Sequence, residues 1–160
     1  MSGAVTIRRY RPEDAAPLAG LLRASVEGLG PLDYRPDQIA AWAMRLPDAA
    51  AMAARCADGR IIWVAVDDGG ALLGFTDCEA DGHIDMLYVS TVAKGQGVAV
   101  ALTEQLIAHA RAVGHARLVV EASEAARRHY AKFGFAALDH RDIDLGGVAI
   151  HNWAMALDLR

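Results

Sequence analysis

The chain has 160 residues and a formal charge of −4, which suits one domain spanning residues 1–160 and excludes the basic footprint that nucleic-acid binding by the whole domain would need. No apolar run is long enough to span a bilayer, and the stretch Met1–Arg9 lacks the apolar core of a signal peptide, so a cytoplasmic chain with no nucleic-acid and no membrane partner is expected. Cys56 and Cys78 have no metal-ligand spacing and the six histidines form no His-Glu-x-x-His or His-x-His pair, so no metal is expected and the thiols read as buried in a reducing compartment.

Val5–Tyr10 alternates apolar and polar side chains, as a half-buried strand does. Arg11-Pro12-Glu13-Asp14 then starts a helix, whose apolar stripe is Leu18, Leu21, Leu22 and Val26. After a loop over Leu32–Pro36, a second helix runs from Asp37 to Leu46 and turns Ile39, Trp42, Ala43 and Leu46 to one side. Pro47-Asp48 opens a third, Ala-rich helix that ends near Cys56. Ile61–Val66 reads as a buried strand, Asp67-Asp68-Gly69-Gly70 as a hairpin turn, and Ala71–Glu79 as the returning strand. A turn over Ala80–Gly82 leads to a strand over His83–Val89.

Val98–Val113 carries apolar residues at helical spacing and stops at Gly114. Leu118–Glu121 is a short strand at βαβ distance from Val89, so it is expected to lie parallel beside His83–Val89. Ser123 caps a helix to about Lys132. Phe135–Leu145 and Val148–Leu159 form a final hairpin around Gly146-Gly147. The order β-α-α-α-β-β-β-α-β-α-β-β implies an α/β (α+β) fold, a mixed sheet with helices on both faces.

Between the strand ending at Val89 and the helix opening at Val98 lies Lys94-Gly95-Gln96-Gly97. A strand, a glycine turn and a helix N-terminus make an anion site, because the first helical N–H groups lack intrahelical partners and the helix dipole is positive there. The dinucleotide fingerprint fails for want of its third Gly, since Val98, Ala99 and Val100 follow Gly97. The nucleotide P-loop fails because no Gly-Lys-Ser/Thr occurs.

Lys94-Gly95-Gln96-Gly97-Val98-Ala99 resembles the [RQ]-x-x-G-x-[GA] pyrophosphate loop of the GCN5-related N-acetyltransferases, with Lys94 standing where the family has Arg or Gln. Ser123-Glu124-Ala125-Ala126-Arg127-Arg128-His129-Tyr130-Ala131-Lys132-Phe133-Gly134-Phe135 resembles the second half of that signature: Ala126, Tyr130, Gly134 and Phe135 match in type and spacing. Ser123 stands where the family has an Asn that contacts the pantetheine arm, and His129 where it has an apolar residue. Tyr34-Arg35-Pro36-Asp37-Gln38-Ile39-Ala40-Ala41-Trp42 resembles a run in a small bacterial branch of unassigned substrate.

The resemblance implies a mostly antiparallel sheet with one parallel pair splayed for coenzyme A. It also implies acetyl-CoA as cosubstrate and transfer of its acetyl group to a primary amine of a small molecule, peptide or protein. Lys94, Gly95, Gln96, Gly97, Val98 and Ala99 would meet the pyrophosphate. Backbone groups of Leu87, Tyr88 and Val89 would pair with the pantetheine amides, beside Ser123 and Ala126. One of Arg127 and Arg128 is a candidate for the 3′-phosphate. Dimers are common in the family, which leaves a homodimer open.

Tyr130 is placed to protonate the departing thiolate. The attacking amine must lose a proton. On a continuous strand residues 83, 85, 87 and 89 share one face, which makes His83 and Asp85 the candidate bases, with bulk water as the alternative. His titrates near neutrality, at about 6.5. Glu79 and Glu27 are weaker candidates, and Cys78 has no base near it in sequence. Tyr34, Trp42, Glu27 and Asn152 are candidates for the acceptor side. Two other functions stay in view: an acyl-CoA-binding or sensor domain without turnover, and a tRNA-acetylating toxin, against which the acidic balance argues.

Overall fold

A computed structural model of the chain describes residues 3–160. Met1 and Ser2, the start of the stretch read for a leader, lie outside the described residues. The strands are β1 (Thr6–Arg9), β2 (Ile61–Val66), β3 (Leu72–Cys78), β4 (His83–Ile84), β5 (Leu87–Val89), β6 (Arg117–Ala122), β7 (Ala136–Leu145) and β8 (Val148–Asp158). The helices are α1 (Ala15–Leu29), α2 (Pro36–Ala43), α3 (Ala49–Cys56), α4 (Val98–Val113) and α5 (Glu124–Ala131). The strands form two four-stranded sheets, in the orders β1-β2-β3-β5 and β4-β6-β8-β7. All pairings are antiparallel except β4 with β6.

Local chemistry fixes the helix ends. Pro36 occupies the first turn of α2, and the Arg35 N–H donates to Gln38 Oε1 at 2.9 Å. That helix ends at Ala43 rather than Leu46, followed by a turn that runs into Pro47, whose ring disfavours helical backbone before it. Asp48 and Ser123 cap α3 and α5, accepting from the N–H groups of Ala51 (2.8 Å) and Ala126 (3.3 Å). Gly114, at φ +86°, closes α4 in the left-handed conformation that Gly adopts without steric cost.

Helices cover both faces of the strands. Leu102, Leu106 and Ala110 of α4 pack with Trp63, Ile84, Leu118, Val120 and Met155 on one side. Leu18, Leu22 and Val26 of α1, with Ile39 and Met52, pack with Ile62, Val64 and Phe75 on the other. Successive β2 residues thus feed opposite cores, which explains its unbroken apolar run. Leu18, Leu22 and Leu102 are fully buried, each contributing about 1.5–3 kcal/mol of apolar transfer free energy.

The strand expected over His83–Val89 is broken, and this corrects the shared-face reading of residues 83, 85, 87 and 89. His83–Ile84 pairs parallel with Val119–Val120, whereas Leu87–Val89 pairs antiparallel with Gly74–Thr76. Only β4 therefore lies beside β6, and β5 diverges. Backbone groups at such a break need partners. Asp77, fully buried on β3, supplies them: its Oδ1 accepts from the N–H groups of Asp85 (2.9 Å) and Met86 (3.0 Å). The Thr76 hydroxyl donates to the Met86 carbonyl at 2.9 Å. Arg55 and Arg60 both donate to the other Asp77 oxygen, Arg60 at 2.9 Å.

Candidate active site

The divergence of β5 from β6 opens a cleft. β5 is the edge of its sheet, so the backbone edge facing away from β3 is free to pair with an extended molecule. One part of the cleft, a cavity of about 170 Å³, is lined by Val89, Ala99, Ala126 and His129 and leads toward the glycine loop. A second cavity of about 220 Å³ is lined by Asp85, Val120, Glu121, Tyr130 and the β7–β8 hairpin. Tyr34, Trp42, Leu87, Tyr88, Ser123 and Ala126 border both, so the two adjoin at these side chains.

At the far end sits the loop before α4. Gly95 and Gly97 have φ of +82° and +77°, values that side-chain-bearing residues rarely adopt, and a Cβ on either would enter open space. No side chain caps α4. Among the described residues, the N–H groups of Gly95, Gly97, Val98, Ala99 and Val100 have no acceptor. Unpartnered N–H groups at the positive end of a 16-residue helix attract an anion. Lys94 and Gln96 are exposed beside them, while Val98 is buried under the loop with its backbone at the helix start.

Tyr130 lies one turn beyond Ala126 on α5 and packs against Phe135, with ring centroids 4.8 Å apart. It is 1 % exposed, yet it lines the larger cavity, and its hydroxyl makes no hydrogen bond among the described residues. Burial raises this phenol far above its ordinary value, so it stays protonated. Tyr34, edge-on to Trp42, accepts from the Glu124 N–H at 3.0 Å and so joins Ser123 in holding the α5 N-terminus. The Ser123 hydroxyl accepts one bond as a cap and keeps its own O–H to donate, and the residue lines both cavities.

The charged side chains fall into two groups. Asp85 accepts from Arg55 (2.6 Å) and Arg60 (3.1 Å), all through Oδ2. Burial pushes its carboxyl up, but the two guanidinium groups outweigh burial and hold it below its ordinary value. His83 bridges two carboxylates, with Nδ1 2.8 Å from Glu79 and Nε2 2.5 Å from Glu121. Partial burial pulls the imidazole down, yet Glu121 and Glu79 prevail and lift it to about 9. At neutral pH it is an imidazolium with both N–H groups committed. It does not line the cavity, whereas Glu121 does. The proton-accepting role expected of His83 therefore conflicts with its charge state.

Among the other expected residues, Trp42 and Asn152 line the larger cavity, and Arg141 donates to Asn152 at 3.4 Å. Glu27 is exposed, pairs with Arg23 at 3.4 Å and faces neither cavity. Arg127 pairs with Glu124 and stacks over Trp153, while Arg128 binds Asp33 through two bonds of 3.0 and 2.9 Å. Cys78 is buried, and burial lifts its thiol to about 11, so it is no nucleophile.

The sequence reading missed Glu121, Asp77, Arg55 and Arg60. A charged residue inside the apolar run Leu72–Cys78 was the available signal for Asp77, since a buried charge demands partners. Glu121 sits two residues before the Ser123 cap on the strand that borders the cleft.

Comparison with known proteins agrees with this geometry. Residues 32–157 match the family model described as an acetyltransferase (GNAT) domain. The chain is 28% identical to the Escherichia coli (strain K12) protein named uncharacterized N-acetyltransferase YafP, over 94% of each chain. A crystal structure from Rhodopseudomonas palustris, described as a GCN5-related N-acetyltransferase, is 35% identical, covers 99% of both chains and superposes with a TM-score of 0.89. The yncA structure from Salmonella typhimurium, solved with acetyl-CoA, shares the fold at a TM-score of 0.76, with 20% identity over 98% of this chain and 95% of that one. The chain belongs to the GNAT family of acetyltransferases.

Proposed function

We propose that the enzyme transfers an acetyl group from acetyl-CoA to a primary amine by direct attack within a ternary complex. The observation that carries this reading is Tyr130, a buried phenol with no hydrogen-bond partner among the described residues, facing a cleft whose other end has the character of an anion site. In this reading the pyrophosphate meets the N–H groups of Gly95, Gly97, Val98 and Ala99, with charge from Lys94 and further contacts from Gln96. The pantetheine amides pair with the free edge of Leu87, Tyr88 and Val89, beside Ser123 and Ala126. The yncA structure, which holds acetyl-CoA in the same fold, supports that assignment.

The chemistry then balances as follows. The incoming ammonium gives one proton to a carboxylate, and Glu121 is the better acceptor because it faces a single imidazolium, whereas two guanidinium groups hold the Asp85 carboxyl below its ordinary value. The neutral amine nitrogen bonds to the thioester carbonyl carbon. As the C–S bond breaks, the sulfur takes its proton from the Tyr130 hydroxyl. The new amide nitrogen sheds its second proton, which restores the phenol. His83, bridged to Glu79 at the surface, stabilises the Glu121 charge. Asp85, with Oδ1 unbonded, holds the incoming ammonium.

Initial rates measured with both substrates varied test this directly. A ternary complex gives intersecting reciprocal plots. Parallel plots indicate a covalent acetyl-enzyme and overturn direct attack. A binding domain without turnover releases no thiol with any amine, and the buried phenol of Tyr130 lining the cavity argues against that alternative.

A further inference from the structure

The larger cavity carries information about its occupant beyond the reaction class. Its volume of about 220 Å³ lies below the roughly 300–1,000 Å³ of sites for drug-sized ligands, so the part of the occupant it encloses is small. None of its lining residues is a Lys or Arg. Its only carboxylates are Asp85 and Glu121, and each is held the same way. Asp85 receives all its guanidinium bonds on Oδ2, and Glu121 receives the imidazole on Oε2. The second oxygen of each has no partner among the described residues. Asp77, by contrast, has both oxygens bonded and does not reach the cavity.

The charges around the two carboxylates leave an excess of negative sign. Arg55 and Arg60 stand against Asp58, Asp77 and Asp85. His83, as imidazolium, stands against Glu79 and Glu121. Each group keeps one uncompensated negative charge. Opposite them the wall is apolar: Trp42 from α2, Ile143 and Leu145 from β7, and Ile150 from β8. Two polar neighbours on that side are engaged elsewhere, His151 through Nε2 with Glu124 at 2.6 Å and Asn152 through its carboxamide oxygen, which accepts from Arg141 at 3.4 Å.

An occupant that satisfies this cavity presents N–H donors at one end and buries hydrocarbon at the other. An α-amino acid would bring a carboxylate toward Asp85 and Glu121 with no cation to receive it. A diamine would drive its second ammonium into the apolar wall.

On the reading that this cavity is the acceptor end of the cleft, we propose that the acceptor is a small monoamine on an aromatic or branched aliphatic body, bearing no carboxylate or phosphate. Asp85 and Glu121 grip the ammonium through their free oxygens, and the hairpin and Trp42 enclose the body.

Thiol release from acetyl-CoA with four probes tests this: 2-phenylethylamine, 3-methylbutylamine, phenylalanine and 1,4-diaminobutane. The first two are expected to exceed the last two in kcat/KM by on the order of 10²-fold or more, since like-charge contact and buried unpaired charge both count against the latter. Asp85→Asn is expected to raise the KM for 2-phenylethylamine by about tenfold with a smaller change in kcat. Phenylalanine or the diamine reacting as well as 2-phenylethylamine overturns the proposal. So does a protein that binds acetyl-CoA by calorimetry but acetylates neither monoamine. Failure to bind acetyl-CoA at all instead overturns the assignment of the cleft, on which the proposal rests.

Discussion

Tyr130 and Glu121 illustrate how surroundings assign roles to side chains. A phenol exposed to water titrates near 10, and burial drives Tyr130 above that, so it arrives at the reaction protonated. Tyr130→Phe removes only the hydroxyl. It is expected to lower kcat by about 10²–10⁴-fold while leaving acetyl-CoA affinity within about twofold, as read by calorimetry beside initial rates. Equal loss of affinity and rate would remove Tyr130 from the acid role. Glu121→Gln keeps shape and loses charge. It is expected to lower kcat by a similar ~10²–10⁴-fold and to abolish the acidic limb of the pH–rate profile. A retained limb would return the proton to bulk water. His83 was legible as a residue near the chemistry, because it precedes the glycine loop on a strand. Its charge was not legible, because the carboxylates that set it come from Glu79, four residues earlier, and Glu121, thirty-eight residues later.

Among the elements, the glycine loop was legible and the broken strand was not. Gly95, Gly97 and the apolar helix after them announce an anion site by residue type alone. The break at Asp85–Met86 depends instead on Asp77 reaching across from β3, and on Arg55 and Arg60 neutralising it there. Such a contact has no local periodicity to betray it. Asp77→Asn would take from two poorly exposed guanidinium groups one of the two carboxylates they share, Asp85 being the other. It is expected to cost about 1–3 kcal/mol of stability through the weakened buried hydrogen bonds, measurable as a lower denaturant midpoint. An unchanged midpoint would mean that the arginines find equivalent partners in Asp58 and Asp85. Gly74 guards the other side of the break. A Cβ there would lie 2.8 Å from the Tyr88 carbonyl oxygen and 2.9 Å from Val98. Gly74→Ala is therefore expected to shift β5 and weaken acetyl-CoA binding at least several-fold, roughly 1–3 kcal/mol of overpacking being at stake. Affinity equal to that of the parent chain would exclude β5 as a ligand-pairing edge.

Across the whole molecule, His83 and Glu124 contribute on opposite sides to the pH range of stability. His83 is raised to about 9 in the folded chain. Its contribution is fully present below the unfolded value of about 6.5 and is lost as pH rises through about 9. Glu124 is lowered to about 2: burial opposes this, but Trp153, His151 and Arg127 outweigh it. Its contribution is present above the unfolded value of about 4.3 and is lost as pH falls toward about 2. The denaturant midpoint should therefore peak between these limits, and His83→Gln should flatten the alkaline decline. A decline unaltered in that variant would show that the bridge adds no stability. At this scale the fold was largely legible, since apolar periodicity, Ala content and helix-start residues identified five helices, apolar runs the buried strands, and their order implied helices on both faces. The pairing of β5 with β3 alone was set by tertiary contacts that no single segment encodes.

Backbone amide shifts of ¹⁵N-labelled protein titrated with acetyl-CoA test the placement of the cosubstrate most directly. The largest shifts are expected at Gly95, Gly97, Val98 and Ala99, whose N–H groups have no acceptor among the described residues, and along Leu87–Val89. Saturable binding that leaves those amides unmoved would contradict the assignment of the cleft between β5 and β6 to acetyl-CoA.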